Sequence, residues 1–265
     1  MTPPVVLTIA GVDPSGGAGL AADLATFSAL GTHGTCAVTA LTAQDTTGVH
    51  DVSVTDPAFV NAQLTAVLHD LPVAAVKTGF LGCEPIIRTV TRWAAEGRLP
   101  NLVVDPVLVA TDGVRLMDAG AEAAYRELLR HARVATPNLP EAAVLLETEL
   151  RSMDDVAPVA DRLVGLGPEV VVVTGGQLSG DAVDLAVTSN GVEPMVARRL
   201  DTTNVHGSGC TFAAATAARL ALGDTPLDAV RAAKAFVHRQ VTTSAAWRLG
   251  AGPCGPVAHT SLPNS

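Results

Sequence analysis

The chain has 265 residues, with 17 Lys and Arg against 26 Asp and Glu and a formal net charge of −9. With no basic run and only 3% aromatic residues to stack on bases, nucleic-acid binding is excluded as a reading. No apolar stretch reaches the roughly 18 to 20 residues of a membrane span, and "MTPPVVLTIAG" lacks the basic start of a signal peptide, so a cytoplasmic protein of one large domain, 1–265, is expected.

"VVLTIAG" (5–11) reads as a buried strand and "GLAADLATFSALG" (19–31) as a helix closed by Gly31. Between them "GAGLAA" (17–22) matches the dinucleotide pattern G-x-G-x-x-A. Four extra residues separate it from the strand, and no acidic residue follows about 20 positions on, where a ribose partner belongs. The glycine turn lets a helix pack close, or places the backbone of Gly11 against a ligand at the strand's carboxyl end. Asp23, one turn into the helix, is a favourable charge near a helix N-terminus.

Next come a strand at 36–43, a helix over 57–69 started by Asp56-Pro57, a strand at 73–79 and a helix over 84–96. A strand at 101–107, a helix near 119–131 and a short strand at 133–138 follow. Two helices over 139–148 and 152–166 lead to a strand at 169–176. "DAVDLAVTSNGVEPMVARR" reads as a hairpin turning at Asn190-Gly191. Helices over 209–222 and 226–247 close the pattern. Apolar strands alternating with helices imply a mostly parallel, doubly wound sheet covered on both faces, with one small hairpin.

Several residues at strand ends carry chemistry. Asp105 in "VVDPV" closes a buried strand, as a turn residue or as a ligand to metal or phosphate. Asn138 and Glu141 in "TPNLPEAA" have the spacing of a capping box. The same pair could face a hydrated Mg2+, which is held by one or two carboxylates while phosphates fill other positions. In "HGSGCTFAAATAARLALG" (206–223) two glycines open a helix, and its unpaired N–H groups and positive dipole end suit an anion. Cys210 stands at that mouth. A lone cysteine is usually a small buried hydrophobe, but a thiol in the first turn of a helix is expected to shift toward thiolate. Cys36, Cys83, Cys210 and Cys254 have no paired close spacing, which suggests neither zinc nor a disulfide framework.

"TIAGVDPSGGAGLAADLATFSALG", "TALTAQDTTGV", "VKTGFLG", "VVDPV", "TPNLPEA", "HGSGCTFAAA" and "GPCGPVAH", in this order, resemble the hydroxymethylpyrimidine and phosphomethylpyrimidine kinases of the ribokinase-like superfamily. The resemblance covers essentially the whole chain. It implies a single-domain ribokinase-like α/β fold and ATP- and Mg2+-dependent phosphorylation of a small-molecule substrate, the hydroxymethylpyrimidine or its phosphate, in thiamine biosynthesis. By the same resemblance Gly11, Asp23, Gln44, Phe80 and Val107 line the pyrimidine pocket. Gly207, Ser208, Gly209 and Cys210 cradle the transferred phosphoryl group, with Cys210 as the base where sugar kinases carry aspartate. Asn138 and Glu141 match the superfamily's magnesium motif, with Asp105 nearby. Thr174, Gly175 and Gly176 sit by the nucleotide, and relatives are commonly homodimers.

The chain departs from that pattern at Thr174 and Thr203, where pyrimidine kinases often carry basic residues, and at Phe80, which replaces a common methionine. "VVVTGG" with "DTTNVHGSGCTF" looks more like the pyridoxal-kinase-like branch. "TAQDTTGV" is the pyrimidine-kinase form, and Ala110 stands where the other branch often has a second cysteine. Pyridoxal kinase and a non-catalytic vitamer-binding protein are therefore the alternatives. A cysteine hydrolase using His206 with Cys210 is disfavoured, since nothing around them resembles a hydrolase signature.

Overall fold

The computed structural model describes residues 2–109, 117–176 and 180–260. Successive side chains of a strand point to opposite faces, and that alternation splits the core in two. Val6, Ala75, Val103, Val134, Val170 and Val172 enter one apolar layer, while Leu7, Val76, Val104, Ala135, Val171 and Val173 enter the other. Each short apolar run of the sequence thus feeds both faces of one sheet.

The strands are β1 (Val5–Val12), β2 (His33–Asp45), β3 (Gly48–Val54), β4 (Val73–Thr78), β5 (Leu102–Val104), β6 (Val134–Ala135), β7 (Val170–Thr174), β8 (Ala182–Thr188) and β9 (Gly191–Ala197). They lie in the order β3-β2-β1-β4-β5-β6-β7-β8-β9. The strands from β2 to β7 run parallel, and β3, β8 and β9 are antiparallel to their neighbours.

The helices are α1 (Gly19–Ala29), α2 (Pro57–Asp70), α3 (Glu84–Ala95), α4 (Ala119–Leu129), α5 (Leu139–Leu146), α6 (Ala160–Val164), α7 (Ser208–Ala221) and α8 (Pro226–Ser244). Phe27, Phe212 and Phe236 bring α1, α7 and α8 onto one face. Leu64, Ile86, Tyr125, Leu145 and Leu163 bring α2 to α6 onto the other. The doubly wound sheet is as the sequence implied. With so few rings available, the buried alanines of α7 (Ala213, Ala214, Ala215, Ala217, Ala218) fill the core by letting that helix lie close to its neighbours.

Helix starts follow local chemistry. Asp56 Oδ1 accepts from Ala58 N at 2.8 Å, with Pro57 preset for the first turn of α2. Asp118, Asn138 and Thr225 cap α4, α5 and α8 in the same way. No side chain caps α1 or α7.

Three expectations need correction. The helix expected over 152–166 is instead two 3₁₀ turns (Met153–Asp155 and Ala157–Val159) followed by the short α6. Asp155 closes the first turn by accepting from Arg151 N and Ser152 N, and Pro158 has no N–H to continue an α-helix. The hairpin turns at Ser189-Asn190, because Thr188 already pairs with Gly191, which starts the return strand. Strand β2 runs longer than 36–43 and pairs with β3, an exposed strand of alternating valines and polar residues that no continuous apolar run announced. Ala110 lies outside the described residues.

The winding direction reverses at β1, with β2 on one side and β4 on the other. Crevices for ligands open at such a switch point, at the carboxyl ends of the strands.

Candidate functional site

Gly11 and Phe80 meet where β1 and β4 end. A side chain at Gly11 would place its Cβ 3.3 Å from the Phe80 ring, so glycine lets the phenyl group lie against the backbone. Thr39 Oγ1 donates to Phe80 O at 2.6 Å and holds the loop. Gln44, near the end of β2, stays partly exposed. Thr42 Oγ1 lies 2.9 Å from Val12 O and 3.2 Å from the Gln44 amide. Thr42 donates to both oxygens, so its one hydroxyl proton is shared between Val12 O and Gln44 Oε1, with the shorter bond to Val12. Val107 is partly exposed beyond Asp105.

Behind these residues lies a buried charge cluster. Lys77 Nζ donates to both oxygens of Asp23 at 2.8 and 2.9 Å, and Thr8 Oγ1 donates to Asp23 Oδ2 at 2.6 Å. Asp23 and Lys77 are both 0% exposed, so the expectation that Asp23 lines the open pocket is corrected. It sits beneath the pocket, because a carboxylate there is the counter-ion that a buried lysine requires. Burial alone would strip the Lys77 proton, but Asp23, with Cys210 and Asp105 beside it, holds the ammonium above the usual lysine range. Burial pushes Asp105 up to about 6, with Lys77 opposing and Asp23 adding to the rise.

The anion cradle stands over the cluster. Gly207 adopts φ +81 and its Cα faces the Gly17 carbonyl so closely that a Cβ would overlap it. Gly17 is crowded in the same way against the His206 ring and Gly19 against the Gly11 carbonyl, so these two glycines of the front loop serve close packing. Ser208, Gly209 and Cys210 form the first turn of α7, whose N–H groups have no helical carbonyl to bond. His206 Nε2 contacts Asp13 Oδ2 at 2.9 Å, which occupies the ring nitrogen a hydrolase would turn on Cys210. His206 N donates to Gly255 O and Val257 N donates to His206 O, both at 3.0 Å, so the tail straps the cradle down. His259 Nδ1 lies 3.0 Å from Thr211 Oγ1 on the same helix.

One expectation about Cys210 is overturned. Burial pushes its thiol up to about 11, with Asp105 and Asp23 adding to the rise, and Lys77 and the Gly19 N–H opposing it. Cys210 is only part-buried, yet desolvation among carboxylates still outweighs the downward shift a helix start gives a thiol.

Asn138 and Glu141 do form a capping box, with Glu141 N donating to Asn138 Oδ1 at 2.8 Å and Asn138 N donating to Glu141 Oε2 at 2.9 Å. Leu108 N donates to Glu141 Oε1 at 3.2 Å. Burial, reinforced by Asp105, raises Glu141 to about 8 against those N–H donors. Among the described residues no three His, Cys, Asp or Glu side chains are grouped to hold a metal. Two carboxylates whose ionisation is suppressed by burial nevertheless fit a hydrated Mg2+ that brings its own waters and phosphate oxygens. The set suits that arrangement rather than a cage of protein ligands.

Thr174 ends β7 and its N donates to Pro137 O at 2.9 Å, which sets the nucleotide-side loop against the Asn138 turn. Gly175 N donates to Asp184 Oδ1 at 2.9 Å, and Lys234 Nζ holds Asp184 Oδ2 at 2.7 Å. Arg199 Nη1 donates to Gly176 O at 2.7 Å. Sequence reasoning assigned no role to Lys77, Thr8, Asp184, Lys234 or Arg199. Lys77 had a signal, a lysine inside the apolar run "VAAVKTG"; the others become visible only when distant elements meet.

The sequence profile of phosphomethylpyrimidine kinase matches residues 13–258. The chain is 43% identical over 260 residues to the hydroxymethylpyrimidine/phosphomethylpyrimidine kinase of Streptomyces coelicolor, covering 98% of this chain and 95% of that one. A solved ADP complex of Bacillus subtilis pyridoxal kinase superposes with a TM-score of 0.89 at 36% identity, covering 97% and 98% of the two chains. Phosphomethylpyrimidine kinase of Clostridium difficile 630 superposes with a TM-score of 0.80 at 36% identity, covering 90% and 99%.

Proposed function

This chain belongs to the phosphomethylpyrimidine kinase family, and from that premise we propose that it transfers the γ-phosphoryl group of ATP to 4-amino-5-hydroxymethyl-2-methylpyrimidine, to its monophosphate, or to both in succession. It is a phosphotransferase of thiamine biosynthesis. The observation that carries the site assignment is the uncapped first turn of α7, with Cys210 in it, opened by Gly207 packed against Gly17 in the same front loop where Gly19 packs against the Gly11 backbone.

With the alcohol as substrate, the accepting hydroxyl oxygen forms a bond to the γ-phosphorus, the bond from that phosphorus to the bridging oxygen breaks, and ADP leaves. The hydroxyl proton passes to the Cys210 thiolate. With the monophosphate, a phosphate oxygen is the acceptor and there is no hydroxyl proton to remove. Backbone N–H groups of Gly209 and Cys210 bear the charge of the transferring group, with Ser208 N held by Val205 O at 3.1 Å, since phosphoryl transfer is mainly positioning and neutralisation. Asp105, Asn138 and Glu141 would hold Mg2+, which when bound neutralises phosphate charge. Thr174, Gly175 and Gly176 face the nucleotide, with Asp184 and Arg199 fixing their backbone in place of the basic residues missing at Thr174 and Thr203. Gln44 reads the aminopyrimidine edge. We place the enzyme in the cytoplasm; no helix of the described residues is long and apolar enough to cross a membrane.

Pyridoxal phosphorylation is the second reading, favoured by the 0.89 TM-score to pyridoxal kinase against 0.80 to the pyrimidine kinase. The test is kcat/KM for hydroxymethylpyrimidine, its monophosphate and pyridoxal in wild type and Gln44→Met. A site built to hydrogen-bond a polar ring edge discriminates by orders of magnitude. The expected result is a wild-type preference for the pyrimidine that Gln44→Met lowers by about 100-fold, with little change for pyridoxal. A wild-type preference for pyridoxal, or equal losses on both, replaces the pyrimidine by the vitamin B6 substrate.

A further inference from the structure

His206, the residue just before the cradle, is held by both its ring and its backbone. Its Nε2 lies 2.9 Å from Asp13 Oδ2, and a carboxylate oxygen only accepts, so the ring donates. Asp13 is buried and fixes the front loop. Its Oδ1 accepts from Ser15 N at 2.8 Å and its carbonyl from Gly16 N at 3.1 Å. Gly17 lies against the ring, and a Cβ there would stand 2.4 Å from His206 Cδ2 and 3.4 Å from Pro256 Cβ.

The His206 backbone belongs to the tail. Its N–H donates to Gly255 O and its carbonyl accepts from Val257 N, both at 3.0 Å. An α-helix would use that carbonyl, one turn back, as the acceptor of Cys210 N. The corresponding carbonyl for Gly209, that of Val205, accepts instead from Ser208 N at 3.1 Å. Among the described residues neither Gly209 N nor Cys210 N has a backbone acceptor, so both are free for an anion. Thr211 Oγ1 spends its proton on Gly207 O at 2.8 Å and so accepts from His259 Nδ1 at 3.0 Å, a second hold of the tail on the same turn.

We propose that His206 is a positioning residue for phosphoryl transfer. Asp13 clamps its ring and the tail takes its carbonyl, which together fix Gly207 on Gly17 and hold the Gly209 and Cys210 N–H groups open to the transferring phosphate. The inference rests on the kinase reading for its catalytic consequence, but its effect on anion binding needs no turnover.

The test compares wild type with His206→Leu, which loses the donor to Asp13, and His206→Gln, which keeps an N–H near the place of Nε2. Inorganic phosphate is titrated into isotopically labelled protein while the Gly209 and Cys210 amide resonances are followed. Both should shift in wild type, and His206→Leu should need about tenfold more phosphate for half the shift, with His206→Gln within about threefold of wild type. In turnover, His206→Leu should lower kcat about tenfold or more while KM for the pyrimidine moves less than about threefold, and His206→Gln should recover most of the loss. A His206→Leu protein that melts like wild type but binds phosphate and turns over within about twofold of it overturns the proposal. So does a His206→Gln variant no better than His206→Leu, or wild-type protein whose two resonances ignore phosphate. Should His206→Leu fail to fold, Gly17→Ala pushes the ring from its seat without removing a charge, and it must weaken phosphate binding in the same direction or the proposal falls. Absence of turnover on every substrate by wild type would overturn the kinase reading, while the phosphate titration would still decide the role of His206.

Discussion

Cys210 shows how a residue's chemistry is set by its neighbours. A thiol raised to about 11 is almost entirely protonated at pH 7, with a thiolate fraction of roughly one in ten thousand. Since the raised pKa favours the neutral thiol, the anion becomes more abundant only as pH climbs toward that value. If the thiolate takes the proton, kcat should rise about tenfold per pH unit from about 7 to 10. Cys210→Ala should lower kcat by about 100-fold or more while KM moves only a few fold. A kcat flat across that range, together with an alanine variant near wild type, would leave Cys210 a positional role. Lys77 makes the complementary point: "VAAVKTG" announces a buried cation, but nothing near it in sequence names Asp23 as its partner.

At the scale of elements, the start of α5 carries two duties that the sequence alone could not separate. The capping box exists, so Asn138→Ala should cost about 0.5 to 2 kcal/mol of stability, measured by denaturant unfolding. Glu141 contributes to the same cap, yet burial and Asp105 keep its carboxyl near 8. A folded-state pKa above the ordinary 4.5 means the native state holds the extra proton, so stability falls as pH rises from about 4.5 through 8. Glu141→Gln should flatten that fall and, if the carboxylate also serves Mg2+, raise the magnesium concentration for half-maximal rate by about tenfold. Unchanged magnesium dependence would return Glu141 to capping alone. The 152–166 segment teaches the reverse lesson, since helical periodicity there yields to a serine-aspartate turn and a proline.

On the scale of the whole molecule, the arm formed by β2 and β3 exposes Leu41 of β2 and Val49, Val52 and Val54 of the edge strand β3. Such an edge is a template for another chain, and pairing with a second copy of this protein is the expected use of it. Light scattering should give twice the chain mass of 26.9 kDa, and Val52→Lys should shift the population toward monomer with the fold retained. A wild-type monomer at about 10 μM removes the arm as a pairing surface.

The sequence by itself determined the winding of the sheet, because apolar runs alternating with helical periods bury both faces of parallel strands whatever the loops do. It also determined the uncapped start of α7, since glycines opening a helix leave first-turn N–H groups without helical acceptors. Its capping signals at Asp56, Asn138 and Thr225 are likewise local hydrogen bonds within a few residues. Tertiary structure alone decided the rest. Asp23 and Lys77 are 54 positions apart, and only the meeting of α1 with β4 removes both from water and makes each the other's partner. The same desolvation drives Cys210 upward where its place in a helix pointed down. Local pattern specifies which backbone groups are free, but the energy of a charge depends on what the fold puts around it.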